Sequence, residues 1–169
     1  MKYETNADLD ANLHFSEINE KNREEVLSFI AAQWGGLTMI LRGETVDMTK
    51  VNGVCAYLGS ELAGLITYRI SGKALEVTSF DSLVENKGIG TALISRAIAI
   101  AKDTGCKRVQ LITTNDNVKA LLFYQKRGFD MVKINRNALD VSRKLKPSIP
   151  TIGENGIPLR HEIEMEMTL

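Results

Sequence analysis

The chain has 169 residues, 44% hydrophobic and 25% charged, with 21 Lys plus Arg against 21 Asp plus Glu. That length predicts one domain over 1–169 with a core large enough to need no staples, and the balanced charge gives no general field for nucleic acid or an anionic membrane. Cys55 and Cys106 lack metal-ligand or redox spacing and read as core thiols; the polar stretch Met1–Asn12 does not read as a signal peptide and no stretch approaches the ~20 apolar residues of a membrane span, so the cytoplasm is the expected compartment.

Residues 1–11 are polar and read as frayed. Leu13–Ile18 is expected as a first strand. Asn22 with Glu25 three residues later resembles a helix start, and Val26, Leu27, Ile30, Ala31 and Trp34 then recur on one helical face up to Gly35-Gly36. Residues 37–50 fit either a short helix or a loop. Three β-rich runs follow, Gly53–Leu58, Leu62–Ile70 and Ala74–Phe80, and the short Gly-containing breaks between them predict antiparallel hairpins. A helix after Gly88 shows Ile89, Leu93, Ala97 and Ile100–Ala101 at helical spacing, with Gly105 as its cap. Then come a strand at Arg108–Thr113, a helix at Asn117–Lys126 stopped by Gly128, a strand at Phe129–Ile134 and a helix at Asn137–Lys146. Pro147 and Pro150 close that helix and open a kinked loop over 147–158. The tail alternates Ile163, Met165, Met167 and Leu169 with Glu162, Glu164 and Glu166, a strand pattern. The layout is α+β, with a central mixed, mostly antiparallel sheet and helices on both faces.

Two segments carry chemistry. Residues 83–94 read Leu-Val-Glu-Asn-Lys-Gly-Ile-Gly-Thr-Ala-Leu-Ile, a strand–glycine turn–helix transition. The first turn of a helix has unpaired N–H donors and the positive end of the dipole, which suits a phosphate. A dinucleotide fingerprint would need glycine at Leu93, and a P-loop would need its lysine after the second glycine, whereas Lys87 precedes both. In the second segment Asn117, Ala120 or Leu121, and Tyr124 return to one helical face, where they could line a slot for a long thin ligand. Taken singly, Asn117 also reads as a helix cap and Tyr124 as a core tyrosine.

Together, in this order and spacing, the two segments resemble the GNAT acyltransferase superfamily. Lys87-Gly88-Ile89-Gly90-Thr91 matches the second half of its pyrophosphate loop, Arg/Gln-x-x-Gly-x-Gly/Ala. Asn117, Ala120, Tyr124, Gly128 and Phe129 match its Asn-x-x-Ala-x-x-x-Tyr-x-x-x-Gly-Phe signature in full. The likeness covers about residues 13–135 and is weaker over 137–158. One departure is Glu85, where the family has Arg or Gln. The resemblance implies the family's three-layer α+β fold and an N-acetyltransferase that takes acetyl-CoA as cosubstrate, uses no metal and acts on a primary amine. It implies cofactor contacts from Thr78, Phe80, Lys87, Gly88, Ile89, Gly90, Thr91, Asn117 and Tyr124, in a gap where Leu75–Phe80 splays from Arg108–Thr113. Tyr124 would protonate the departing thiolate.

The attacking amine must be neutral, while free alkyl amines have pKa values of roughly 10, so a base is expected. Glu76 leads, because strand alternation puts Glu76, Thr78 and Phe80 on one face; the alternative is a solvated strand carboxylate. Asp81 and His161 are further candidates. Glu162, Glu164 and Glu166 read as a solvated acidic stripe or as an attractor of a cationic acceptor. The acceptor pocket is expected from residues 34–45 and 147–162, with Trp34, Arg42 and Arg160 as candidate contacts. A polyamine, an amino acid, an aminoglycoside and a protein N-terminus all fit, and a homodimer is open. A rival reading is a non-catalytic acyl-CoA sensor; another is a transferase of longer acyl groups.

Overall fold

The structure, a computed structural model, describes residues 12–169; the expectation for residues 1–11 falls outside them. In chain order the elements are β1 (Leu13–Glu17), α1 (Arg23–Trp34), β2 (Thr38–Leu41), β3 (Glu44–Asp47), β4 (Asn52–Leu58), β5 (Glu61–Ser71), β6 (Ala74–Ser82), α2 (Ile89–Asp103), β7 (Arg108–Thr114), α3 (Val118–Gln125), β8 (Asp130–Asn135), α4 (Ala138–Leu145) and β9 (Glu162–Thr168). Among the described residues, no helix is long and apolar enough to cross a membrane.

Seven strands form one sheet in the order β1-β4-β5-β6-β7-β9-β8. The β6–β7 pair is parallel and the other five are antiparallel. Both faces of β4 and β5 are covered, so these strands read as continuous apolar runs instead of alternating ones. Val54, Ala56 and Ile66 join Leu93, Ile94, Ala97 and Ala101 of α2 in one core. Cys55, Tyr57 and Leu65 face the other way, onto Val26 and Ile30 of α1 and Met39, Leu41 and Val46 of the β2–β3 hairpin. Burying an aliphatic side chain of this size stabilises by roughly 1.5–3 kcal/mol, which fixes each element against the sheet. Both cysteines are buried and free, and burial pushes the Cys55 thiol up to about 11, which leaves it unreactive.

Two local features differ from expectation. Residues 38–47 form a hairpin, β2 against β3, turning through Arg42 and Gly43. Both turn residues have positive φ, 54° and 75°, the pair that a two-residue hairpin turn requires. Helix α1 does begin after Asn22, but the Asn22 side chain makes no cap; its Oδ1 accepts from the Asn19 main chain at 2.8 Å.

The site is positioned by a splay in the sheet. Strands β6 and β7 pair only at Ala74–Arg108, Leu75–Val109 and Glu76–Gln110, and beyond Glu76 they diverge. A bulge in β6 adds a second distortion. Thr67 of β5 stands opposite Ser79 and the next residue, Tyr68, opposite Val77, leaving Thr78 extra. The Thr67 hydroxyl is hydrogen-bonded to both Thr78 (2.7 Å) and Ser79 (2.6 Å). Because cross-strand partners share a face, Glu76 (opposite Arg69) and Phe80 (opposite Ile66) fall on opposite faces. The sequence expectation that Glu76, Thr78 and Phe80 share one face is corrected on this ground, since the bulge shifts the alternation by one residue.

Candidate active site

The glycine turn lies between β6 and α2. Asn86 and Gly88 both take positive φ, at 59° and 74°, and Gly88 is the left-handed N-cap of α2. The first α2 amide with an internal partner is that of Ala92, bonded to the Gly88 carbonyl at 2.9 Å. Among the described residues, the N–H groups of Ile89, Gly90 and Thr91 have no acceptor, so three donors converge at the positive end of the helix. Gly90 packs beneath aromatic rings, since a Cβ there would meet Phe80 at 3.3 Å and Phe123 at 3.4 Å. Gly88, Ile89, Gly90 and Thr91 line a cleft of about 550 Å³, while Lys87 is not part of its wall.

Helix α3 forms the opposite wall. Asn117 is its N-cap, with Oδ1 accepting from the Ala120 amide at 3.0 Å. Tyr124 is 5% exposed and held edge-on by Phe123 and Phe129 at centroid distances of 5.3 and 5.5 Å. Its hydroxyl has no hydrogen-bond partner among the described residues. Desolvation, reinforced by the Asp81 carboxylate, raises its pKa well above that of an ordinary phenol, so it stays protonated at neutral pH. A second cavity, of about 530 Å³, opens between the diverged ends of β6 and β7. Phe80, Asn117, Ala120 and Tyr124 line both spaces, so the cleft and the cavity meet at the tyrosine.

The second cavity draws on both irregular segments. Trp34, Met39 and Leu41 come from one side, and Ser148, Ile149, Pro150 and Leu159 from the other. Lys146 ties them together, its ammonium donating to the Trp34 and Thr38 carbonyls at 2.7 and 2.9 Å. The Trp34 indole donates to Asp81 at 3.0 Å. Burial raises the pKa of Asp81, with the indole bond opposing.

Several candidate residues lie elsewhere. Glu76 is 3% exposed and held by the guanidinium groups of Arg42 and Arg69, in a separate depression with Gln110 and Glu164. It flanks the paired end of β6 and β7, outside both spaces that meet at Tyr124, so the structure does not bring it to the thioester position. Arg42 is consumed in the same cluster, pairing also with Glu164 at 3.3 Å. Arg160 is exposed and outside the cavity wall. His161 accepts at Nδ1 from the Asn137 amide at 2.9 Å and so fixes the start of α4.

Reading the sequence missed Arg127, and it named Glu162 only as one of an acidic stripe, either solvated or attracting a cationic acceptor. Arg127 lines the cleft, donates to the Thr91 hydroxyl at 2.5 Å and lies over the Phe123 ring at 3.5 Å; its Nε is buried without a partner. The signal that could have found it is its spacing, four residues after Phe123 at the end of the α3 face. Glu162 is 2% exposed and lines the cavity, and its Oε2 is buried without a hydrogen-bond partner. The acidic stripe is therefore not uniformly solvated. Glu85, the departure in the loop, reaches Lys119 at 3.4 Å.

The splayed parallel pair, the N–H-lined glycine turn and the tyrosine on the facing helix are the features that the resemblance to the GNAT superfamily implies. The model of the acetyltransferase (GNAT) family matches residues 17–129. The chain is 44% identical to Bacillus subtilis (strain 168) YdhI, covering 86% of this chain and 91% of that protein. It is 29% identical to the N-acetyltransferase YvbK of the same organism, covering 75% and 81%. Among solved structures, a GNAT family acetyltransferase from Elizabethkingia anophelis with acetyl-CoA bound superposes with a TM-score of 0.71 at 22% identity, over 94% of this chain and 99% of that one. The chain belongs to the GNAT acetyltransferase family, and it is an acetyl-CoA-dependent acetyltransferase.

Proposed function

We propose that the protein moves the acetyl group of acetyl-CoA to a primary amine by direct attack, without an acetylated enzyme. The observation that carries this reading is the shared wall. Phe80, Asn117, Ala120 and Tyr124 belong both to the cleft with the free amides and to the cavity on the other side. A thioester donor and an acceptor approaching from the two spaces meet at the tyrosine, with no residue interposed as a carrier.

The residues present fit the cosubstrate. The amides of Ile89, Gly90 and Thr91 and the unpartnered Arg127 Nε would hold the diphosphate. The edge of β6 beyond Glu76 lacks its β7 partner, so main-chain groups of residues 77–80 would bond the pantetheine arm as an added strand. One of those N–H groups would stabilise the negative charge that develops on the carbonyl oxygen. Acetyl-CoA supplies an activated acyl carbon and a good leaving group. The neutral amine nitrogen bonds to that carbon, the carbon–sulfur bond breaks and its electron pair leaves on sulfur. Tyr124 gives the sulfur its proton, and the proton shed by the new amide nitrogen restores the phenol. Products are the acetamide and CoA thiol.

Tyr124→Phe tests the assignment. Loss of the donor should lower kcat by about 10²-fold or more and leave the Kd for CoA within about two-fold, as general-acid loss predicts. Thiol-release assays and calorimetry read the two quantities; equal losses in both would make Tyr124 a packing residue only.

A further inference from the structure

The acceptor end of the cavity carries more information than the class of reaction. Its wall is hydrocarbon over most of its extent, with Met39, Leu41, Leu139, Ile149, Pro150 and Leu159 around the Trp34 ring. The charged groups on that wall are not equivalent. Both carboxylate oxygens of Asp116 have a partner, accepting from the Glu154 amide at 2.8 Å and the Thr114 hydroxyl at 2.5 Å. Lys146 commits two of its three ammonium protons to the Trp34 and Thr38 carbonyls. Glu162 alone among these has a carboxylate oxygen, Oε2, buried with no hydrogen-bond partner among the described residues, and the residue is 2% exposed. A buried carboxylate oxygen left without a partner is costly unless a ligand supplies one.

Resting on the acetyl-transfer reading, we infer that the acceptor is a small primary amine with an apolar body, whose ammonium is bound by Glu162 and whose body fills the Trp34-lined pocket. Glu162 takes one ammonium proton, which leaves the nitrogen lone pair free to attack, and releases it to water after the product departs. Other acceptor classes fit this wall less well. A polyamine or aminoglycoside brings several ammonium groups, and after the first they would meet hydrocarbon or Lys146. A peptide N-terminus needs an open groove, but here the hairpin and the 146–159 segment are tied together by Lys146. Glu162 faces both the charge and the main-chain amide of Arg42 in the hairpin turn, and Glu164 along its own strand. The Arg42 guanidinium is committed to Glu76 and Glu164, and even with the Arg42 amide beside the carboxylate Oε2 keeps no hydrogen-bond partner among the described residues.

Trp34 is the single tryptophan of the chain, so its fluorescence reads the pocket directly. The test titrates the full-length protein with hexylamine, 2-phenylethylamine, hexanol, spermidine, kanamycin and an alanine-initiated hexapeptide, following Trp34 emission, and then measures thiol release with acetyl-CoA for each amine. Hexylamine and 2-phenylethylamine should shift the emission and give the highest kcat/KM. Hexanol, with the same body and no charge, should bind about ten-fold more weakly or worse, the usual loss when a charge-assisted hydrogen bond is removed. Glu162→Gln should erase the preference for hexylamine over hexanol while calorimetry shows CoA binding unchanged, which certifies that the variant folds. Higher kcat/KM for spermidine, kanamycin or the peptide would overturn the inference and leave acetyl transfer standing, as would an undiminished amine preference in Glu162→Gln. Glu162-dependent amine binding without thiol release from any amine would do the opposite, sustaining the ammonium site and refuting transfer.

Discussion

Glu85 would repel a diphosphate at the glycine turn, but it is turned to Lys119, and the cation facing the turn comes from Arg127, in the turn just after the far helix. The guanidinium is planar and stacked on Phe123, which fixes its fork without a long entropy loss. Arg127→Leu should weaken CoA binding by about ten-fold and flatten its salt dependence, with little change in kcat at saturation; calorimetry at two ionic strengths reads this. Glu76 belongs to the opposite category. Removing its charge strands two guanidinium groups beside a buried amide, and because both arginines are partly exposed the cost is about 1–3 kcal/mol, below that of a fully buried pair. Glu76→Gln should therefore lower the urea midpoint and leave kcat within about two-fold, a split that a base could not show. The glycine turn and the Asn117–Tyr124 spacing were legible because each is set by local periodicity. The face of Glu76 relative to Phe80 was not, because the bulge at Thr78 depends on how β5 pairs with it.

At the scale of elements, the acceptor cavity is assembled by pieces that meet only in three dimensions. Helix α4 reaches the hairpin through Lys146, whose ammonium also faces the negative end of α1 at the Trp34 carbonyl. Arg143 keeps the proline segment in place, donating to the Pro150 carbonyl at 2.6 Å. Lys146→Met should raise KM for the amine several-fold and leave CoA affinity unchanged, since the strap touches the acceptor space alone. Parallel titrations of amine and CoA distinguish this from global loosening, which would weaken both. The hairpin escaped sequence reading because its strands have four residues each and its turn is Arg-Gly, without the Asn-Gly or Asp-Gly signal. The burial of Glu162 escaped for a related reason. Its alternation with Ile163 is regular, and only the hairpin and the 146–159 segment distinguish it from Glu164 and Glu166.

For the whole molecule, Glu162 sets a tension between folding and chemistry. Burial raises its pKa in the folded state; Arg42 pulls it down and Glu164 pushes it up. Between the ordinary carboxyl value of 4.5 and the raised one, the folded chain binds more protons than the unfolded chain, so stability falls as pH rises through that interval. The contribution is fully present below the ordinary value and gone above the raised one. Gln at this position does not titrate. Glu162→Gln should thus be more stable than the parent at pH 7, with the difference shrinking toward pH 4, as urea melts at both values would reveal.

The divergence of β6 from β7 reaches beyond the cleft. Strands β1, β4, β5 and β6 make one panel, β7, β9 and β8 another, and three residue pairs form the seam between them. Each panel carries half of the chemistry, with the free strand edge on one and the Glu162 carboxylate on the other. A donor bound along that seam as proposed would contact both panels and act as a keystone, aligning nucleophile and leaving group by the same contacts that bind it.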